Sequence, residues 1–221
     1  MTNGNSEAPL PVHLQVANLL RNEISSRLRQ PGERLIEREI CEATGFSRPA
    51  VREALRVLES EGLVMSSLSR GTRVATLTWL EARDIYEVRG QLESLAARLF
   101  TERATTEEKR MLRKAVRAIE RAKDDSGAIL DAKEMFYRVL LDGAGNDVLT
   151  STLASLNLRV RYLRASSLSV RGRPAQSLSE IKVLLEAIEG GDAEAASAAC
   201  LIHVSNAAEA AWKGLQSARP V

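Results

Sequence analysis

Two segments decide how this chain folds: residues 31–64, PGERLIEREICEATGFSRPAVREALRVLESEGLV, and residues 70–74, RGTRV. The first segment predicts a short amphipathic helix that ends at Gly45, then a second helix that the side chain of Ser47 caps. The second helix carries apolar side chains on one face, at the spacing of a buried helical stripe. These are Val51, Ala54, Leu55 and Leu58. The segment therefore predicts two helices packed around a tight turn.

The opposite face of the second helix carries Arg48, Arg52 and Arg56. A guanidinium fork matches the O6 and N7 atoms of guanine and also neutralises phosphate, so this face suits the major groove of DNA. Beyond the helix, a tight turn at Gly71 predicts a two-stranded hairpin with Arg70 beside the bend. This order of parts predicts a winged helix-turn-helix that binds duplex DNA.

The same segments closely resemble the N-terminal domain of GntR-family transcriptional regulators, in PGERL, TGFSRPAVREAL, LESEGLV and RGTRV. The resemblance implies that Ser47 and Pro49 lie against the phosphate backbone. Thr44 departs from the family pattern, which has an aliphatic residue there, so we expect slightly looser packing of the second helix. With the hairpin turn included, the expected DNA-binding residues are Arg34, Ser47, Arg48, Pro49, Arg52, Arg70 and Gly71.

Composition sets the limits of this interpretation. The chain has 221 residues, 44% of them hydrophobic, which suffices for one or two cores. Its formal net charge is only +2, so it is not a general polyanion binder, and DNA affinity must come from local placement of arginines. We find neither a signal segment nor an apolar run long enough to span a bilayer, which predicts a cytoplasmic protein without a membrane partner.

Capping boxes, in which Ser or Thr precedes Glu by three residues, mark helix starts in the second half of the chain. They occur at Thr78 with Glu81, Thr105 with Glu108, and Ser177 with Glu180. Helices are predicted at about 79–103, 106–124, 128–141, 147–168, 178–190 and 193–213. The expected fold is mostly α: a disordered tail (1–9), a winged helix-turn-helix domain with a small β-hairpin wing (10–77), and a six-helix antiparallel bundle for effector binding and dimerisation (78–216).

The second half resembles the all-helical effector-binding FCD domain of the FadR-type subgroup of that family. The similarity lies in IYEVRGQLESLAARL (85–99), FYRVLLDGAGNDVL (136–149) and EIKVLLEAIEGGDAEAA (180–196), and at His203. It implies that the helical domain binds a small organic acid or an acyl thioester. Binding would then alter the separation or flexibility of the two DNA-binding domains in a homodimer.

Many members of the subgroup hold a divalent metal through one Asp and three His. Three of those positions fall here on Lys133, Tyr137 and Ile181. Only His203 remains, and one imidazole does not make a zinc site, which needs three or four protein ligands. Asp131 and Glu134 point about 200° and 100° away from Lys133 around their helix, so they are poor substitutes. We therefore expect no metal and no other cofactor.

A cation in the place of the metal suggests an anion site. Lys133 and Tyr137 are one helical turn apart, so they share a face, and Arg89 matches an inward-pointing arginine of the family. Alternatively, Lys133 extends into solvent and Arg89 pairs with Glu93. Of Arg159, Arg161 and Arg164, which share one helix, not all can face inward. The predicted effector-binding residues are Arg89, Lys133, Tyr137, Arg161 and His203.

Together these features predict an effector-responsive transcriptional repressor. It would bind a palindromic double-stranded DNA operator as a homodimer and respond to a small anionic effector, a small organic acid. The alternatives are a regulator that responds to an acyl thioester, or an architectural DNA-binding protein without effector. An enzyme is not expected, because His13 and His203 have no identifiable catalytic partner in the sequence.

Overall fold

The computed structural model describes residues 10–25, 28–67, 71–76 and 78–217. The expected tail (1–9) and Arg70 at the hairpin lie outside the described residues. The chain divides into two compact units, Met1–Thr76 and Leu77–Val221. Each unit has its own core, and we describe them one after the other.

The N-terminal unit contains three helices and a two-stranded hairpin. They are α1 (Val12–Ser25), α2 (Glu37–Thr44), α3 (Arg48–Ser60), β1 (Val64–Ser67) and β2 (Gly71–Val74). Helix α1 packs on α3, and both bury apolar side chains at helical spacing. The buried residues are Val16, Ala17 and Leu20 on α1 and Val51, Ala54, Leu55 and Leu58 on α3. The predicted winged helix-turn-helix is confirmed.

The turn between α2 and α3 differs from its prediction in one detail. Gly45 ends α2 in the left-handed conformation, with φ of 74°, which favours glycine. Ser47 stands at the N-cap position of α3, but its side chain makes no capping hydrogen bond, so that expectation is wrong. Pro49, in the first turn, has no N–H group and leaves fewer donors to satisfy. The Thr44 hydroxyl donates to the Ile40 carbonyl at 2.6 Å, within its own helix.

The position of Gly71 in the hairpin also differs from its prediction, which put this residue at the turn. Ser67 pairs with Gly71 across the two strands, so Gly71 is the first residue of β2. The φ of Gly71 is 68°, and a Cβ at this position would lie 3.6 Å from the Arg34 guanidinium. Arg34 in turn forms a β-bridge with Arg73. The backbone thus holds Arg34 beside the base of the wing.

The C-terminal unit is helical throughout its described part. Its six helices are α4 (Trp79–Arg103), α5 (Thr106–Arg121), α6 (Ser126–Ala144), α7 (Asp147–Leu168), α8 (Arg173–Gly190) and α9 (Ala193–Ser217). Helix α9 packs against α4, α7 and α8, and α5 packs against α6. The mostly α fold class is confirmed. Among the described residues, no helix is long and apolar enough to cross a membrane.

Two of the three predicted capping boxes are present, each with both hydrogen bonds: Thr78 with Glu81, and Thr105 with Glu108. They explain why α4 and α5 begin at the predicted residues. The third is wrong, because α8 begins at Arg173, after Gly172 with φ of 82° and with Pro174 in its first turn. Ser177 therefore lies inside α8, where its side chain is buried and free to serve another partner.

The end of α9 is held to its neighbours by two close contacts. The rings of Trp79, the first residue of α4, and Trp212 lie 4.5 Å apart between centroids. At Gly214, an added Cβ would collide with the carbonyl oxygen of Ser166 on α7. These contacts fix the last two turns of α9 against α4 and α7.

Candidate functional site

The start of α3 presents the residues expected to contact DNA. Ser47, Arg48, Pro49 and Arg52 are all exposed there, and Arg34, which precedes α2, is exposed as well. The buried stripe of α3 packs on α1, which leaves this opposite face available to a ligand. We call these five residues, with Gly71, the DNA-facing group.

Arg52 is not free within this group. Its Nε and Nη2 atoms donate to the two carboxylate oxygens of Glu37 at 3.1 and 3.0 Å. These hydrogen bonds lower the pKa of Glu37, and Arg48 adds to the effect. Because both side chains are partly exposed, at 59% and 35%, the pair is screened by water and costs little to open. Sequence reasoning missed Glu37, although it begins the helix that precedes the recognition helix.

A different arrangement of charges lies inside the C-terminal unit. Arg89 is buried and donates to both carboxylate oxygens of Glu93, at 2.6 and 3.2 Å, and to the Tyr137 hydroxyl at 3.1 Å. Burial alone would lower the pKa of Arg89, but the Glu93 charge outweighs it and the pKa is raised. The alternative of an Arg89–Glu93 pair is thus observed. The pair nevertheless faces the interior, beside Tyr137.

Lys133 is also buried, so the alternative in which it extends into solvent is wrong. Its ammonium donates to the Ser177 hydroxyl at 2.6 Å and lies 3.4 Å from Nε2 of His203. On the other side of the imidazole, Nδ1 lies 2.6 Å from the Glu180 carboxylate. The neutral tautomer with a proton on Nδ1 satisfies all these contacts. Consistently, burial and the Lys133 charge lower the pKa of His203 to about 3.

Glu180 joins this chain of contacts to a second buried arginine. Arg173 donates to its two oxygens at 2.6 and 2.8 Å, and Asn206 donates to it at 2.8 Å. Partial burial would raise the pKa of Glu180, but the hydrogen bonds from His203 and Arg173 lower it to about 2. The sequence pattern predicts that Glu180 forms a capping box with Ser177. Instead it fixes the tautomer of His203.

The fully buried arginine of α7 is Arg164, which the predicted set of effector-binding residues does not include. Arg161, which the prediction names, is half-buried and pairs with Asp131 at 3.0 Å and with Glu134. Arg164 is buried and stacks on Tyr137, with its Cζ atom 4.3 Å from the ring centroid. The two arginines are three positions apart, which is only about 60° around α7, so tertiary packing of each side chain separates them and not a change of helix side.

Four buried cations therefore converge in the bundle, and we call them the cationic cluster: Arg89, Lys133, Arg164 and Arg173. Arg89 pairs with Glu93 and Arg173 pairs with Glu180. Within the described residues, no carboxylate pairs with Lys133 or Arg164. Nη1 of Arg89 and Nε of Arg164 are buried without a hydrogen-bond partner. Such orphaned donors are costly in a protein interior, so they mark a place where a ligand would gain affinity.

The residues at this place do not fit a metal ion. Among the described residues, no group of three or more His, Cys, Asp or Glu could hold one. The Nε2 atom of His203 faces the Lys133 ammonium, which occupies the position a metal would need. Ile181, at another of the family's ligand positions, is a fully buried core residue. Asp131 and Glu134 face Arg161 on the outside of α6.

A cavity of about 200 Å³ lies between α6 and α7, and Arg164 is the member of the cationic cluster that lines it. Glu93, Tyr137 and Arg164 line one part of it, while Leu141 and Leu153 give it an apolar wall. Polar and charged residues also line it: Glu134, Arg138, Asp142 and Thr150. A small molecule in this cavity would place a polar group against Arg164 and an apolar body between the helices.

A winged helix-turn-helix joined to an all-helical unit with a small internal cavity defines a class of DNA-binding transcriptional regulators. Comparison with known proteins agrees. Residues 13–74 match the family model described as bacterial regulatory proteins, gntR family, and residues 84–206 match the FCD domain. The chain therefore belongs to the GntR family of transcriptional regulators, in which it carries an FCD domain. It is not an enzyme.

Individual relatives support the same assignment. The chain is 29% identical over 206 residues to the HTH-type transcriptional regulator YdhC of Bacillus subtilis. The aligned region covers 92% of each of the two chains. It is 27% identical over 203 residues to the HTH-type transcriptional repressor RspR of Escherichia coli, covering 90% of this chain and 88% of that one. The E. coli McbR/YncC structure shares the fold, with a TM-score of 0.78 and 22% identity over 93% of this chain and 99% of that one.

Proposed function

We propose that this regulator is a repressor that binds a palindromic operator as a homodimer and is controlled by a small organic acid in the cationic cluster. One observation carries the effector part of the proposal. Lys133 and Arg164 are buried without a carboxylate partner in the described chain, and an anion would satisfy both. The effector would contact Lys133, Arg164 and Arg89, with Tyr137 and His203 lining the same place.

The cation of the proposed site belongs to the protein itself. A carboxylate that a metal ion would bind in relatives could here contact the Lys133 ammonium and the Arg164 guanidinium directly. We therefore propose that the regulator works without a bound metal. Treatment with a chelator would leave its response unchanged, and metal analysis of dialysed protein would find less than one transition metal ion per chain.

Dimerisation belongs to the proposal because a single recognition helix reads too few base pairs for specific binding. A two-fold symmetric dimer matches a palindromic site, with one α3 in each half-site. The name of one relative, the repressor RspR, favours repression over activation. A sizing column combined with light scattering tests the dimer at micromolar protein concentration.

The test of the effector response uses Lys133→Met. Methionine keeps the volume of the side chain but removes the charge, and apolar replacement of an uncompensated buried ion is tolerated. We expect the variant to shift a duplex selected from random sequence at the same concentration as the wild type. A panel of small carboxylates should release the wild-type protein from this duplex and should fail to release the variant.

The matched control is Arg161→Met, which removes one positive charge from the same helix as Arg164, at a half-buried side chain that already has two carboxylate partners. It should bind DNA and respond to the carboxylates as the wild type does. If Lys133→Met is released from DNA as readily as the control, Lys133 does not hold the effector and the proposal fails at this residue. If no carboxylate shifts either protein, the effector class is wrong.

A further inference from the structure

The charge balance of the cationic cluster sets the charge of its ligand, an inference that rests on the function proposed above. Arg89 and Arg173 each have a carboxylate within hydrogen-bond distance. Lys133 and Arg164 have none in the described part of the chain, and both are more than nine-tenths buried. Two positive charges therefore stand uncompensated in the interior of the bundle.

The two uncompensated cations lie around one side chain. Lys133 is one helical turn before Tyr137 on α6, and the Arg164 guanidinium stacks on the Tyr137 ring at 4.3 Å. Burial lowers the pKa of Lys133, and Arg164 is the charge that lowers it most. The two cations thus repel each other across Tyr137. A ligand with a single negative charge would relieve only one of them.

Space for a ligand lies beside one of these cations. The cavity that Arg164 and Tyr137 line measures about 200 Å³, which is room for a short acid. The orphaned Nη1 of Arg89 and Nε of Arg164 are donors available to it.

We infer that the ligand of this site is a small dianion, whose two negative charges neutralise Lys133 and Arg164 together. Two chemistries supply such a ligand in this volume: a short dicarboxylate, with one carboxylate for each cation, or a phosphate group that contacts both. A monocarboxylic acid of the same length leaves one buried cation unpaired and binds more weakly for that reason.

The experiment compares three probes of nearly equal shape and decreasing charge: succinate, succinamate and succinamide. Inorganic phosphate is the fourth probe and distinguishes the two chemistries. Binding to the full-length protein is measured by calorimetry and by thermal unfolding at constant ionic strength and pH. The wild-type protein should bind one of the dianions, succinate or phosphate, at least about tenfold more tightly than succinamate, and should not bind succinamide.

Variants decide whether the two named cations set this preference. Lys133→Met and Arg164→Met each remove one charge, and each should reduce the preference for the dianion over succinamate at least about tenfold. Arg161→Met removes a charge that is already paired with Asp131 and Glu134, on the same helix as Arg164, and should preserve the wild-type preference. If Lys133→Met fails to fold, Arg164→Met gives the same test.

Each outcome bears on the inference. Equal binding of the dianions and succinamate by the wild type overturns it, while the proposed anionic effector stands. A dianion preference that survives in both cluster variants also overturns it, because other groups must then supply the charge. Failure of all four probes to bind would contradict the proposed effector site itself, and the inference with it.

Discussion

The two units of this chain use the same ion pair in opposite surroundings. In the N-terminal unit, Arg52 forms an ion pair with Glu37, and the two side chains are 59% and 35% exposed. In the C-terminal unit, Arg89 forms an ion pair with Glu93, and the two side chains are 1% and 4% exposed. Water reaches the first pair easily, so opening it costs little. The second pair is shielded from water, so only a molecule that enters the bundle can compete for its arginine. The proposed function assigns recognition to the first pair and sensing to the second.

The largest effect on stability should come from breaking the buried pair. Glu93→Ala leaves Arg89 charged and unpaired in the interior, which should cost on the order of 3–5 kcal/mol in the free energy of unfolding. Glu37→Ala, at the exposed pair, should change it by less than about 1 kcal/mol. Urea denaturation followed by circular dichroism measures both. Equal losses in the two variants would show that burial does not separate the pairs.

DNA binding should show the reverse order. Arg52→Ala removes a recognition side chain and should weaken binding to a selected duplex about 5- to 150-fold. Arg48→Ala should do the same, and both should relax base discrimination. A titration by fluorescence anisotropy, repeated at several salt concentrations, measures the loss. An Arg52→Ala protein that binds its site as tightly as the wild type would remove Arg52 from the DNA-facing group.

The buried contacts of Glu180 and His203 predict a loss of stability in acid. His203 has its pKa lowered to about 3, so the unfolded chain takes up a proton near pH 6.5 that the folded protein refuses until about pH 3. Stability therefore falls as the pH drops through this window. Glu180, with its pKa lowered from 4.5 to about 2, adds a further loss only between those two values.

The histidine can thus be tested alone between pH 6.5 and 4.5. His203→Asn keeps a donor for Glu180 and removes the titrating ring, so the variant should lose less stability than the wild type between pH 7 and pH 5. Denaturant unfolding at the two pH values measures the difference. Identical losses in the two proteins would mean that His203 is not held neutral.

The smallest effect should follow the removal of Arg161. This half-buried side chain pairs with Asp131 and Glu134, whose carboxylates are exposed, and pairs that water screens in this way contribute about 0–1 kcal/mol. Arg161→Met should therefore unfold within about 1 kcal/mol of the wild type, whereas Arg164→Met acts on the cluster. Parallel melts of the two variants check the contrast. A strong destabilisation by Arg161→Met would mean that the surface network matters more than its exposure indicates.

Local signals in the sequence were enough to predict most of the helices of the fold. Helix α4 spans residues 79–103 and α7 spans 147–168, as predicted, because caps and glycine stops are short-range features. Helix α8 was placed five residues too late because Ser177 and Glu180 have the spacing of a capping box. Their actual partners, Lys133 and His203, lie on other helices. Spacing along one helix does not reveal partners that are distant in sequence.

The candidate site was predicted in part for the same reason. Lys133, Tyr137 and Arg89 were placed by resemblance, and the structure brings all three into the interior. Arg161 and Arg164 could not be told apart, because an arginine is equally compatible with a surface pair and with stacking on a tyrosine. Which of them turns inward depends on how α7 is rotated against α6. That rotation is set by tertiary packing.

The pair of tryptophans in contact at the junction of α4 and α9 offers a direct optical readout. Trp79 and Trp212 are the only two tryptophans in the chain, and both belong to the C-terminal unit. Intrinsic tryptophan emission therefore comes from α4 and α9, and no ring in α1, α2, α3 or the hairpin contributes to it. A change in emission when unlabelled DNA is added would report a change in the surroundings of these two rings. A simple fluorimeter could thus detect communication between the two units without a dye or an added label.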